Sequence, residues 1–130
     1  DFFQDDETVG HFWSILETRP YMRAMSGMAN VLWQMDRTEE AKTVYQEMLR
    51  LNPNDNQGIR YSLLTLLFEM GRIDEIHCLL NDYKKDASVE WAYTRALLAF
   101  QEFGDSNTAR KAIAKAIKTN PYVVDYLTGR

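Results

Sequence analysis

The sequence predicts an all-α fold built from repeated pairs of helices, and three observations predict it. Apolar residues recur at helical spacing, as in Leu64, Leu67 and Phe68 or Ala109, Ile113 and Ala116. Short polar turns interrupt these stripes at Asp36-Arg37-Thr38-Glu39-Glu40, Gly71-Arg72 and Gly104-Asp105. The prolines stand in register: Pro20 and Pro53 are 33 residues apart, and Pro121 follows 68 residues later, twice 34. Helix interiors exclude proline, so its return at one spacing marks a recurring boundary.

Residues 1–4 are expected to fray. Asp5-Asp6-Glu7 stand where a helix favours acids against its positive end, and Phe12, Ile15 and Leu16 follow on one helical face. Counted back from the closing prolines, Phe12 aligns with Tyr45 and Ile113, and Leu16 with Leu49 and Ile117. Residues 6–18 are therefore expected to form the second helix of a half unit, 6–20. A full unit occupies 21–55, with Thr18 as N-cap, Pro20 in the first turn and Thr38 capping the second helix.

The next unit, 56–87, starts its first helix near Gln57 and runs its second from Ile73 to about Lys84. It is divergent: Ile76 replaces a small residue and Ser88 stands where the closing proline belongs, so irregular packing is expected. Residues 88–121 return to pattern through Ala96-Leu97, Phe100, Ala109, Ile113, Ala116 and Pro121. Tyr122, Val123, Val124, Tyr126 and Leu127 then open a further helix within 122–130.

Met28-Ala29, Leu32, Ala41, Tyr45 and Pro53, placed as they are, resemble a tetratricopeptide repeat (TPR), a helix-turn-helix unit of about 34 residues. The resemblance implies a right-handed α-solenoid of about seven helices, acting as a non-catalytic scaffold that binds a peptide or helix in a concave groove. By the family's register that groove receives Arg23, Ser26, Asn30 and Trp33 from one unit, and Tyr61 and Thr65, with Phe68 and Glu69, from the next. Trp91, Thr94 and Arg95 come from the last. Trp33 and Trp91 read equally well as wedges between units, and Phe68 beside Leu67 leans towards core. Arg23, Asn30 and Arg95 are harder to explain by packing. Asn30 and Arg95 also match two positions of the family's carboxylate clamp. Ser26 and Trp91 stand where that clamp has lysines and Ser62 where it has asparagine, so binding of an acidic chaperone tail is not implied.

Composition bounds the rest. A chain of 130 residues, 45% hydrophobic and 26% charged, suits one domain. The net charge of −4 disfavours nucleic acid as a partner. No apolar run approaches the roughly 18 residues of a membrane span. The charge is uneven: 1–87 holds 9 basic and 15 acidic residues, 88–130 holds 6 and 4. Arg110, Lys111, Lys115 and Lys118 give the last repeat helix a basic face, read as solvated or as attracting an acidic neighbour. The lone Cys78 is expected to be a small buried hydrophobe beside a surface His77, with no disulfide, metal or cofactor, and the setting is expected to be cytoplasmic. No phosphate loop, nucleophile elbow or zinc-protease motif is present. The chain does not begin with Met and is expected to belong to a longer protein. Two alternatives to peptide binding stand: self-association through open repeat ends, or a regulatory segment of a larger enzyme.

Overall fold

A computed structural model describes residues 5–129, so the expectation that 1–4 fray lies outside the described residues. Among those described, every regular element is helical: α1 (Arg19–Gln34), α2 (Thr38–Leu51), α3 (Ile59–Glu69), α4 (Ile73–Asp82), α5 (Val89–Phe103), α6 (Asn107–Thr119) and α7 (Tyr122–Thr128), with one 3-10 turn at Leu16–Thr18. The chain divides into two compact units between Leu79 and Leu80, inside α4. That is the helix whose sequence departs furthest from the repeat pattern.

In the first unit α1 packs on α2 and α2 on α3. Met22, Met25 and Ala29 face inwards from α1; Ala41, Tyr45, Met48 and Leu51 from α2; Leu63, Leu64, Leu66 and Leu67 from α3. The fully buried alanines, Ala29 and Ala41, let the two helices approach closely. α1 and α3 end in the same way. Arg37 N–H reaches back to the Leu32 carbonyl and Arg72 N–H to Leu67, both 2.9 Å, around a left-handed residue that is Asp36 in one turn and Gly71 in the other.

The α2–α3 connection is held by a buried carboxylate. Asp55 accepts from the N–H of Ile59 (2.7 Å) and of Arg60 (3.0 Å), and from the Arg60 guanidinium at 2.8 Å. It closes the donors at the start of a helix whose first turn has no acid of its own. Polar ties also recur at the repeat spacing. Lys42 bonds Glu75 (3.0 Å) and Glu39 (3.2 Å), and Arg72 pairs with Glu39 and lies 3.7 Å from Glu75. Bonding to Glu75 raises the Lys42 pKa, against the opposing effect of desolvation.

Three expectations are corrected here. Residues 6–18 do not form a helix. They run as turns into the 3-10 segment, because Gly10 (φ 95°) turns the chain and the Gly10 and Phe12 N–H groups donate to the Leu51 carbonyl at 2.9 and 3.2 Å. That carbonyl lies in the last turn of α2, where helix acceptors lack internal partners. Phe12 is fully buried and meets Tyr21 edge-on, whereas Leu16 is 67% exposed.

The expected caps also differ. Thr18 makes no cap bond; its hydroxyl donates to the carbonyls of Phe12 and Ile15. Thr38 lies inside α2, which has no side-chain cap. The real caps are Ser88 and Ser106, accepting from Trp91 and Ala109 N–H. Cys78, finally, is exposed. On α4 the buried side chains are Ile76, Leu79 and Leu80, and Cys78 sits about 200° round the helix from Ile76.

In the second unit α5 packs on α6, and α6 meets α7. Trp91, Ala96 and Leu98 are buried from α5, Ala109 and Ala116 from α6. Tyr93 closes the pair, its hydroxyl donating to the Asn120 carbonyl at 2.8 Å.

Two stability changes are expected by urea titration. Asp55→Ala removes the acceptor for two helix N–H groups and a guanidinium and should cost about 3 kcal/mol with little change in m. Gly71→Ala meets no atom within 4 Å, so its cost should be the left-handed backbone alone, about 1 kcal/mol.

Candidate functional site

At 100° per residue, Arg19, Arg23, Ser26, Asn30 and Trp33 fall within about 80° of one another on α1. The buried face of Met22, Met25 and Ala29 lies beside that strip, so the helix that anchors the core also carries an unburied polar row. Asn30 is exposed and accepts from the Tyr45 hydroxyl at 2.5 Å. Its amide N–H₂ has no partner among the described residues. Trp33 is half-buried: its ring meets Tyr45 edge-on (6.4 Å, 85°), and its indole N–H donates to Glu69 at 2.7 Å. That bond joins α1 to α3, the first helices of successive pairs. Thr65, one turn before Glu69, is exposed and returns its hydroxyl to the Tyr61 carbonyl at 3.1 Å. Tyr61 is half-buried beneath the Arg60 guanidinium, 4.4 Å from its ring centroid.

Tyr45 is the buried support behind the strip. Burial raises its pKa, and a hydrogen bond with Ser62 works against that rise. The hydroxyl thus links Asn30 of α1 with Ser62 of α3.

The residues expected from α5 behave differently. Trp91 is completely buried, edge-on to Tyr83, and Thr94 is 7% exposed, so neither offers a side-chain surface; both are corrected to core positions. The physical reason is phase: Trp91, Thr94 and Leu98 form the inward i, i+3, i+7 row of α5. Arg95 is half-buried, and its guanidinium donates to the carbonyls of Lys84 (3.0 Å) and Asp86 (3.4 Å), which gives it a structural task in the α4–α5 connection.

The sequence reading missed Trp13 and Arg19. Trp13 lies under both Arg19 and Arg23, whose guanidinium carbons stand 5.3 and 5.9 Å from its ring centroid. The available signal was the Arg19–Arg23 spacing of one helical turn.

Two apolar clefts lie apart from this strip. One, of about 700 Å³ between α1 and α2, is lined by Met28, Val31, Leu32, Met35 and Val44. The other, of about 550 Å³ in the second unit, is lined by Leu97, Phe100, Ile113 and Leu127 among others. Among the described residues no helix is long and apolar enough to cross a membrane.

A family model described as tetratricopeptide repeat matches residues 23–55, which span most of α1, all of α2 and the turn containing Asp55. No curated protein and no solved structure matches the chain.

A pH effect follows from Tyr45. Its folded pKa is raised, so its contribution to stability is complete below the ordinary tyrosine value of about 10 and is lost as pH rises through the folded value. Thermal melts should therefore show the parent protein losing stability more steeply above about pH 10 than Tyr45→Phe. At neutral pH the variant should be less stable by about 1 kcal/mol.

Proposed function

We propose, from the tetratricopeptide-repeat match over residues 23–55, that α1 and α3 of the first unit present a non-catalytic docking face for a peptide or helix. Repeats of this family mediate protein–protein interaction, and the family is typically non-catalytic. The observation that carries the finer reading is the row Arg23, Ser26, Asn30 and Trp33 on α1, tied to α3 through Glu69. It is too polar for a packing face and is supported from behind by buried Tyr45. An asparagine with a donor to spare suits an extended peptide backbone, and the indole supplies a rigid apolar contact. Tyr61 and Thr65 extend the same face onto α3. Arg95 belongs to the other unit, so it is left out of this site. The same reading takes the partner to be a protein in a cytoplasmic setting, with neither nucleic acid nor membrane as ligand.

A second reading is self-association. It is supported by the exposed Met28, Val31 and Met35 of one unit and Leu97, Phe100 and Phe103 of the other. Cation-rich α6, which carries no acid, adds to that support.

The docking face is tested with a peptide selected on the parent protein from a random library. Asn30→Ala combined with Thr65→Ala should weaken it at least about tenfold, with unchanged circular dichroism. Equal affinity in the double variant would remove this face from the binding site. Sedimentation at several concentrations and ionic strengths decides the second reading: a monomer at every concentration ends it.

A further inference from the structure

We infer that Trp13, Arg19 and Arg23 form an oxyanion subsite at one end of this face, receiving a carboxylate or phosphoryl group carried by the bound peptide; the inference rests on the reading of α1 and α3 as a peptide site.

The first ground is selectivity of pairing. Arg37, Arg50, Arg60, Arg72 and Arg110 each bond a carboxylate, and Arg95 bonds two main-chain carbonyls. Arg19 and Arg23 pair with no acid among the described residues, although the chain carries 19 acids against 15 basic groups. Two unneutralised cations gathered on one indole repel each other, and a ligand anion relieves that repulsion.

The second ground is preorganisation. Arg19 donates its Nε–H to the Trp13 carbonyl at 2.7 Å while its guanidinium lies over the ring. That bond fixes the group and leaves its terminal N–H donors for a ligand. Arg23 stands over the same ring one turn later. A guanidinium on an aromatic face keeps its in-plane donors at the edge, where they match the two oxygens of a carboxylate or phosphoryl group.

The main chain on either side of Trp13 is held in place: its carbonyl accepts from Arg19. Phe12 beside it is fully buried, with its N–H on the Leu51 carbonyl and its own carbonyl accepting from Thr18. The main chain that carries the ring is therefore anchored, and the ring itself is half-buried.

The third ground is continuity. Arg19 and Arg23 begin the row that continues through Ser26 and Asn30 to Trp33, so a peptide lying along it has one end at a cationic site. That gives the ligand a direction: its acidic group lies at the Arg19 end.

The test uses three fluorescein-labelled versions of the library-selected peptide, read by anisotropy. They carry a glutamate pair, a glutamine pair or a phosphoserine at the end expected to meet Arg19, and inorganic phosphate serves as competitor. The glutamate or phosphoserine version should bind about tenfold more tightly than the glutamine version, with an advantage that falls as salt rises. Arg19→Gln and Arg23→Gln should each erase that advantage, so that the glutamate, glutamine and phosphoserine versions bind alike to each variant. Arg23→Lys should keep only part of it, because the charge survives and the planar fork does not. Comparison of the glutamate and phosphoserine versions assigns the source of the oxyanion.

Equal affinity for all three peptides, with no effect of Arg23→Gln, overturns the subsite and leaves the docking face standing. Loss of the acidic preference in the arginine variants, with no effect of Asn30→Ala and Thr65→Ala, supports the subsite and removes the face. Inorganic phosphate competing as strongly as the phosphoserine peptide overturns the assignment to a peptide-borne group.

Discussion

The first unit depends on one buried carboxylate. Asp55 sits in the turn after α2, itself in a left-handed conformation (φ 50°), and gathers two N–H groups and the guanidinium of α3. Its position sets the residue at which α3 begins. The starting residue of a helix fixes the phase of every later side chain. With this start, Leu63, Leu66 and Leu67 turn inwards, while Thr65 and Glu69 reach the side where Trp33 stands. A negative group against the positive end of the helix dipole adds to the hydrogen bonds in holding that phase. The candidate face on α1 and α3 is thus a consequence of how the turn between α2 and α3 is closed.

Contacts that join one helix pair to the next divide the work. Apolar burial supplies most of the energy, and the polar ties supply register. Glu39 with Arg72 and Lys42 with Glu75 connect positions 33 residues apart, and Trp33 with Glu69, 36 apart, joins the first helices of the two pairs. Exposed ion pairs contribute little to stability, but a network with a well-covered lysine at its centre disfavours a slipped pairing. Tyr45 has a double role, filling the core with its ring and holding Asn30 with its hydroxyl. The strip is therefore supported by the same residue that the repeat needs for packing.

The segment before α1 shows where periodicity misleads. Phe12 and Leu16 occupy the register of a second helix, and burial of Phe12 satisfies that pattern. The main chain obtains its hydrogen bonds elsewhere, from the unpaired end of α2, and a glycine at positive φ makes the turn. The result brings Trp13 beneath two arginines, an arrangement that no spacing rule over residues 6–18 could have produced.

The sequence by itself determined the helix pairs and their turns at Asp36 and Gly71. Those features follow from local phase: side chains about 100° apart on a helix, chain breakers at fixed intervals, and small residues where helices approach. Tertiary structure alone decided which aromatic and cationic side chains stay available. Trp91 and Thr94 went into the core, Arg95 onto two carbonyls, and Cys78 outwards. Each of these outcomes depends on a partner distant in sequence or on a phase offset of one or two residues, and a single chain's pattern does not encode either.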